Sequence, residues 1–172
     1  INSTDNALSQ IIETAANLKN LISQRRNAAS NSAAFPETLR GAWQSLVSQL
    51  NTSLEGRFLF GGTRTDVAPV NADTFPTLEV DGVPDDGYYN GSAEDVVLRA
   101  DDNTEINYNV RADDMGIQQI FAGLAMAQQG HEGKSDEDLK KAYDLVELGL
   151  NGVISTQSVV NQNKVAIADI NT

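Results

Sequence analysis

Asp136 to Asn171, DEDLKKAYDLVELGLNGVISTQSVVNQNKVAIADIN, places Leu139, Val146, Val153, Val160 and Ile167 at intervals of seven without a break. An apolar residue at every seventh position keeps one seam of an α-helix turned toward a partner, the pattern of coiled-coil packing. One helix over this stretch would be about 54 Å long at roughly 1.5 Å per residue. Four residues after each seam position stand Tyr143, Leu150, Gln157, Lys164 and Asn171, so the stripe narrows toward the C-terminus. A helix whose stripe narrows is either leaving its own core or waiting for another subunit.

Working outward, Ser135 and Asp138 form an imperfect capping box ahead of this helix, because the fourth position ordinarily carries Glu or Gln. Gly130 to Gly133 reads as a flexible turn. Before it, Ile117, Ile120, Phe121, Leu124 and Ala125 form the apolar face of a helix that starts at Asp113 or Asp114 and stops at Gly130. At the other end of the chain the spacing predicts a helix over 3–31. Ser3, Thr4 and Asp5 offer cap oxygens, and Leu8, Ile11, Ile12, Ala15, Leu18 and Ile22 line one face. The polar stretch Asn27 to Ser32 interrupts it. Pro36 suits a first helical turn, and Leu39, Trp43, Leu46, Leu50 and Leu54 continue the spacing to a stop at Gly56. These two helices either fold back or run end to end; the sequence leaves both open.

Residues 57–112 differ in character. Gly61, Gly62, Pro69, Pro76 and Pro84 punctuate them at a density that breaks helices. Leu78-Glu79-Val80 reads as a short strand before an Asp81-Gly82 turn. Val96 to Ala100 and Ile106 to Val110 flank the polar Asp101-Asp102-Asn103-Thr104, and the second run alternates apolar and polar, which predicts a hairpin with one buried face. The expected class is therefore α+β: helical chain ends and a small β-rich module between them.

The chain has 172 residues and a formal net charge of −12, from 24 acidic and 12 basic side chains. Phosphate backbones require clustered Lys and Arg, so nucleic acid is not an expected partner, and neither is an anionic membrane surface. No apolar run approaches the roughly 18 residues of a membrane span, so membrane insertion is not expected either. With no cysteine there are no disulfides, thiolate metal sites or cysteine nucleophiles in these residues, a composition that suits an exported protein needing no oxidative folding. The sequence starts at Ile1 without Met and ends with apolar residues still recurring at helical spacing, so we expect natural residues beyond one or both ends.

Candidate chemistry is sparse. His131 is the single histidine and reads as an exposed turn residue rather than a general base. Asp101, Asn103 and Glu105 alternate like the start of a calcium loop, but Ile106 occupies its required glycine position and Ala112 its terminal glutamate position. Gly61-Gly62-Thr63 lacks the Gly-Lys-Ser/Thr ending of a phosphate loop. Trp43 reads as core, with sugar stacking as the alternative. Arg57, Arg64 and Arg99 read as surface charges able to meet the acidic excess of a neighbour. No catalytic, cofactor-binding or metal-binding residue is assigned; no cofactor and no enzymatic activity are expected.

Leu50 to Asp66, LNTSLEGRFLFGGTRTD, resembles the segment that follows the second helix in flagellar axial proteins. It is most similar to the hook-associated protein 3 family, the hook–filament junction proteins, with flagellin as a near relative. Tyr88-Tyr89-Asn90-Gly91 resembles the Tyr-x-Gly element of that family, with Ser92 in place of its usual Asp. The hairpin and the closing helix, with its Ala- and Asn-rich polar face, fit as well. The resemblance covers nearly the whole chain, and its specific part is the Gly56-Arg57-Phe58-Leu59-Phe60-Gly61-Gly62-Thr63 string.

The resemblance implies an elongated antiparallel helical rod, a coiled-coil-like bundle formed by both chain ends over 1–65 and 112–172. A small β-rich insertion over 66–111 would point outward from it. It also implies terminal segments that fold into helices on polymerisation. The expected rod core packs Leu139, Val146, Val153 and Val160 against Leu8, Ile12, Ala15 and Leu46, with Phe58, Leu59 and Phe60 anchoring the turn at its outer end. The implied function is a secreted structural subunit of the bacterial flagellum that joins hook to filament by self-assembly. Its implied partners are copies of itself, the hook-side junction protein, flagellin and an export chaperone. Two alternatives stand beside it: flagellin forming the filament itself, and a carbohydrate-binding surface module using Trp43, Tyr88 or Tyr89.

Overall fold

The computed structural model describes residues 2–27, 33–107 and 109–170; expectations touching Ile1, residues 28–32, Tyr108 and residues 171 and 172 lie outside them. The described residues form an α+β fold: α1 (Asn2–Asn27), α2 (Phe35–Leu50), β1 (Ser53–Leu54), β2 (Arg57–Phe58), β3 (Val97–Asp101), β4 (Thr104–Asn107), α3 (Met115–Glu132) and α4 (Asp136–Ile170). None of the described helices is long and apolar enough to cross a membrane.

The first two helices fold back on each other, with Thr14 Oγ1 3.2 Å from Ser45 Oγ. Helix α1 also runs antiparallel to α4. Near one end Arg26 pairs with Asp136 at 2.9 Å, and near the other Gln157 donates to Ser9 Oγ at 2.9 Å and to Asp5 Oδ1 at 3.3 Å. The turn between α3 and α4 makes that pair antiparallel too. A single apolar core runs through all four helices, from Leu8, Ile11, Ala15, Leu18 and Ile22 on α1 to Val146, Val153 and Val160 on α4.

Helices α3 and α4 meet through a register that sequence reading missed. Gly116, Gly123 and Gly130 recur every seven residues on α3. Each faces one seam residue of α4: a Cβ on Gly116 would stand 2.9 Å from Val153 N, one on Gly123 3.3 Å from Val146 N, and one on Gly130 2.9 Å from Leu139 N. The bulky side of one heptad is seated in the vacant side of another, so the two backbones approach more closely than side chains on both would allow. Gly149 and Gly152 on α4 extend the contact toward Gly116.

Several local expectations are corrected. Ser3, Thr4 and Asp5 lie inside the first turn of α1 rather than capping it. Helix α2 ends at Leu50, where Asn51 N–H bonds Val47 O, so Leu54 leaves the stripe for β1 and is exposed. Gly130 does not stop α3, which runs to Glu132 and ends on Gly133. Leu78-Glu79-Val80 is not a strand; Gly82, at φ +77°, does make a turn. The β3–β4 hairpin forms, pairing Leu98 with Ile106, but those two are only half-buried and Val97 is exposed, so it has no fully buried face. Its local partner is the flank of α4, reached by Asn163 Nδ2 donating to Asn107 O.

Half of the capping box is made: Asp138 N–H bonds Ser135 Oγ at 3.2 Å, while Ser135 N–H goes to Gly130 O at 2.9 Å rather than to the Asp138 carboxylate. The narrowing of the α4 stripe also has a partner. Gln157, the polar residue at the second seam position, bonds the first turns of α1, so polar contact replaces apolar contact where the helices continue to touch.

Candidate functional site

The segment that resembled the flagellar string is where the chain leaves the helical bundle, and its residues form a braid with the segment by which the chain re-enters. Asn51 starts it. Its side chain donates to Val70 O at 2.9 Å and accepts from Val70 N at 3.0 Å, which satisfies both backbone groups of a residue with 2% exposure. Glu55 (φ +54°) and Gly56 (φ +79°) then form the two-residue loop joining β1 to β2, the positive-φ pair that matches the twist of a tight hairpin. Arg57 is exposed on β2, while Phe58 and Leu59 are half-buried; Leu59 N–H bonds Thr52 O at 3.1 Å. Phe60 is fully buried, and its carbonyl accepts from Ala112 N at 2.7 Å, tying exit to re-entry.

Gly61 and Gly62 serve close approach. Gly61 O accepts from Arg64 N at 3.2 Å and from Ser92 N at 3.0 Å. Gly62 sits at φ +67°, and a Cβ there would stand 2.5 Å from Ser92 Oγ and 2.6 Å from Glu94 O. Ser92 Oγ accepts from Thr63 N at 2.9 Å. The two stretches that carried the resemblance, Gly56 to Asp66 and Tyr88 to Gly91, are thus packed against each other. Tyr89 bridges Val70 and donates to Ser92 O at 2.6 Å; Asn90 N bonds Pro69 O and Asn90 O accepts from Arg64. Tyr88 donates to Ala112 O at 2.6 Å and lays its ring edge-on to Phe121 of α3, 4.4 Å between centroids.

The re-entry segment is fixed by charge. Arg111 pairs with Asp113 at 2.9 Å and Asp95 at 3.3 Å, and also donates to Ala93 O. Asp114 caps α3 by accepting from Gly116 N at 3.2 Å and takes a hydrogen bond from Thr156 of α4. Burial, with Asp113 and Asp114 nearby, pushes the Tyr88 hydroxyl well above its ordinary value, and burial carries Tyr89 up to about 12. Both stay protonated hydrogen-bond donors across the physiological range. Burial also raises Asp114 above the usual carboxylate value. The result is a clamp that holds geometry.

The residues singled out for the rod core lie as follows. Leu8, Ala15, Leu46, Leu139, Val146, Val153 and Val160 are buried, and Ile12 is half-buried against them. Trp43 is 3% exposed and edge-on to Phe75, so its faces are closed to a sugar. Tyr88 and Tyr89 likewise have their hydroxyls engaged. His131 is not in a turn: it lies in the last turn of α3, half-buried, beside Phe35 and Arg25. Arg99 pairs across its hairpin with Glu105 at 3.1 Å. Asp101 accepts from Asn103 N at 2.8 Å, forming a local turn, and among the described residues no group of three or more His, Asp or Glu side chains is arranged to hold a metal. Asn51, Ser92, Arg111 and Ala112 were missed because their role lies in long-range hydrogen bonds. The Gly116–Gly123–Gly130 repeat was missed although its seven-residue period stood in the sequence.

No protein-family model and no curated protein sequence matches the chain. Solved structures do. The crystal structure of Bacillus cereus FlgL superposes with a TM-score of 0.72 at 19% identity, over 99% of this chain and 82% of that one. A protein of Vibrio parahaemolyticus, provisionally described as flagellar hook-associated, superposes with a TM-score of 0.56 at 16% identity, over 99% of this chain and 81% of that one. The four helices and the braid between them therefore have the fold of FlgL.

Proposed function

We propose that this chain is a structural subunit of the bacterial flagellum, of the hook-associated protein 3 type, which joins the hook to the filament. The observation that carries the reading is the likeness to FlgL over 99% of the chain. The resemblance of the exit string and of the Tyr-x-Gly element to that family supports it as well, and the two stretches pack together in one braid. We divide the chain into a helical rod domain, 1–65 and 112–172, and an insertion, 66–111. The insertion keeps contact with the rod through Phe75, Leu78 and Tyr88. Leu8, Ile12, Ala15, Leu46, Leu139, Val146, Val153 and Val160 serve as the rod core.

The mechanism is assembly rather than catalysis. Apolar burial of about 25 cal/mol per Å² drives helical seams together, and head-to-tail contacts that do not close give helical assemblies. Partners are further copies of the chain and other axial proteins, among them the hook-side junction protein and flagellin, with an export chaperone before secretion. Immunogold labelling of sheared flagella tests this. Label confined to one end, at the hook boundary, is the expected result. Label along the filament would assign the chain to flagellin instead, and absence of label from flagella would overturn the proposal.

A further inference from the structure

The end of the bundle opposite the braid is closed by the molecule's single histidine. His131, in the last turn of α3, accepts at Nδ1 from Arg25 Nε of α1 at 3.0 Å. An imidazole that accepts at Nδ1 is neutral and carries its proton on Nε2. Its ring lies 5.3 Å from that of Phe35, which opens α2 and is 5% exposed. One side chain therefore touches the last turn of α1, the first turn of α2 and the end of α3.

From the geometry we infer that His131 is a pH-sensitive latch: neutral, it ties α1 to α3 across α2; protonated, it releases Arg25 and loosens this end of the bundle. A proton added at Nδ1 removes the only lone pair that Arg25 can use and sets two cationic donors against each other.

The surrounding charges favour the neutral form. Helix α1 presents Arg25, with Arg26 turned away to Asp136 at the start of α4. Helix α2 presents the uncharged Phe35 ring. Helix α3 supplies Glu132, which favours the cation. In the turn to α4, Lys134 meets the carbonyl of His131 through its backbone N–H. Burial first and Arg25 second hold the imidazole below its ordinary value, and Glu132 offsets them only in part. A group whose folded value is depressed contributes stability that is present above its unfolded value, ~6.5 for histidine. That stability is lost as pH falls through the folded value.

With one histidine, the imidazole can be followed without assignment ambiguity by NMR of the whole chain. Wild type is expected to show the Nε2–H tautomer at pH 7.5 and a titration midpoint below that of a free imidazole. Arg25→Gln should raise that midpoint. Below the wild-type midpoint, amides of residues 22–27 and 128–133 should lose protection, exchanging faster relative to their intrinsic rates at the same pH. They should not do so in His131→Gln, whose side-chain oxygen still accepts from Arg25 but does not titrate. A midpoint at or above the free value, a midpoint unmoved by Arg25→Gln, or the same acid-induced exchange in His131→Gln would overturn the latch. The Arg25→Gln titration stands alone if His131→Gln does not fold.

Discussion

Replacing Gly149 by alanine should unfold the protein more easily, although the same change at Gly41 should stabilise it. Both glycines are in helix interiors, where alanine is favoured by about 1 kcal/mol on backbone grounds. Around Gly41 of α2 nothing lies within 4 Å of the added methyl, so that advantage is uncontested. At Gly149 the methyl carbon would stand 2.5 Å from Gly116 O, 2.7 Å from Ile120 Cγ1 and 2.9 Å from Ile120 N. Two of these are backbone atoms and no rotamer can move them.

Restoring a carbon–oxygen contact of about 3.3 Å requires α3 and α4 to part locally by roughly 0.8 Å. A gap of that size forfeits about a quarter to a half of each affected contact, at ~0.1–0.2 kcal/mol per atom pair. The Val153 and Val146 rungs on either side hold on the order of 50 such pairs, which puts the loss at ~3 kcal/mol, the upper part of the range for overpacking. After the alanine preference is subtracted, G149A is destabilised by about 2 kcal/mol, or ~4–8 °C in Tm for a domain of this size; G41A gains ~2–4 °C. Thermal unfolding followed by far-ultraviolet circular dichroism measures both. A G149A midpoint at or above wild type would refute the close-packed glycine seam. A G41A midpoint as low as that of G149A would show that the methyl contacts are not what decides the sign.

Val153 is 1% exposed on the same seam, so V153D leaves an uncompensated buried charge and should cost about 3–5 kcal/mol; an unchanged melting temperature would show the seam to be exposed. G62A forces a side chain into a left-handed conformation at a cost of roughly 1–2 kcal/mol and drives it against Ser92, so amides of Thr63 and Ser92 should exchange faster than in wild type. Wild-type exchange there would detach the Gly61–Gly62 pair from the braid. Asp114 carries a raised folded value, so its carboxyl favours folding less as pH rises from below the ordinary carboxylate value through the folded one. D114N keeps an acceptor for Gly116 N and Thr156 Oγ1 without a buried charge. It should melt at or above wild type at pH 7 and lose that advantage near pH ~4, and a uniform loss at both pH values would refute the assignment.

What could be read from the sequence follows from which interactions are local. The period of seven over Leu139 to Ile167 is an intrahelical fact, and it predicted both the length of α4 and the face it buries. The end of α2 was misplaced by the same rule. Leu54 continues the spacing of Leu46 and Leu50, but Asn51 exchanges two hydrogen bonds with Val70 nineteen residues later, and that anchorage turns the chain into a hairpin first. His131 fails for a related reason: Gly130 and Gly133 beside it read as a turn, whereas Gly130 is helical because Leu139 of α4 occupies the space its side chain would need. Glycine is the residue for which the two levels disagree most. Within one helix it is a weakness of about 1 kcal/mol; opposite a valine seam it admits a second backbone.

The same consideration explains why the exit string is distinctive. Its hydrophobic members, Phe58, Leu59 and Phe60, could be exchanged for others of similar volume, since burial is indifferent to order. Gly61 and Gly62 could not, because Arg64 O lies 2.5 Å from where a Cβ on Gly61 would be, and Ser92 Oγ equally near the one on Gly62. The Gly61 contact belongs to the local turn, whereas the Gly62 contact, and the 2.7 Å from a Cβ on Gly91 to Gly61 O, exist only when Gly56 to Asp66 and Tyr88 to Ser92 are folded together. Two glycines near position 61 and a Tyr-x-Gly near position 89 therefore specify one joint from both sides. That joint ties the departing α2 to the returning α3 through Phe60 and Ala112, so the geometry of the rod and the placement of its insertion are set by the same few contacts.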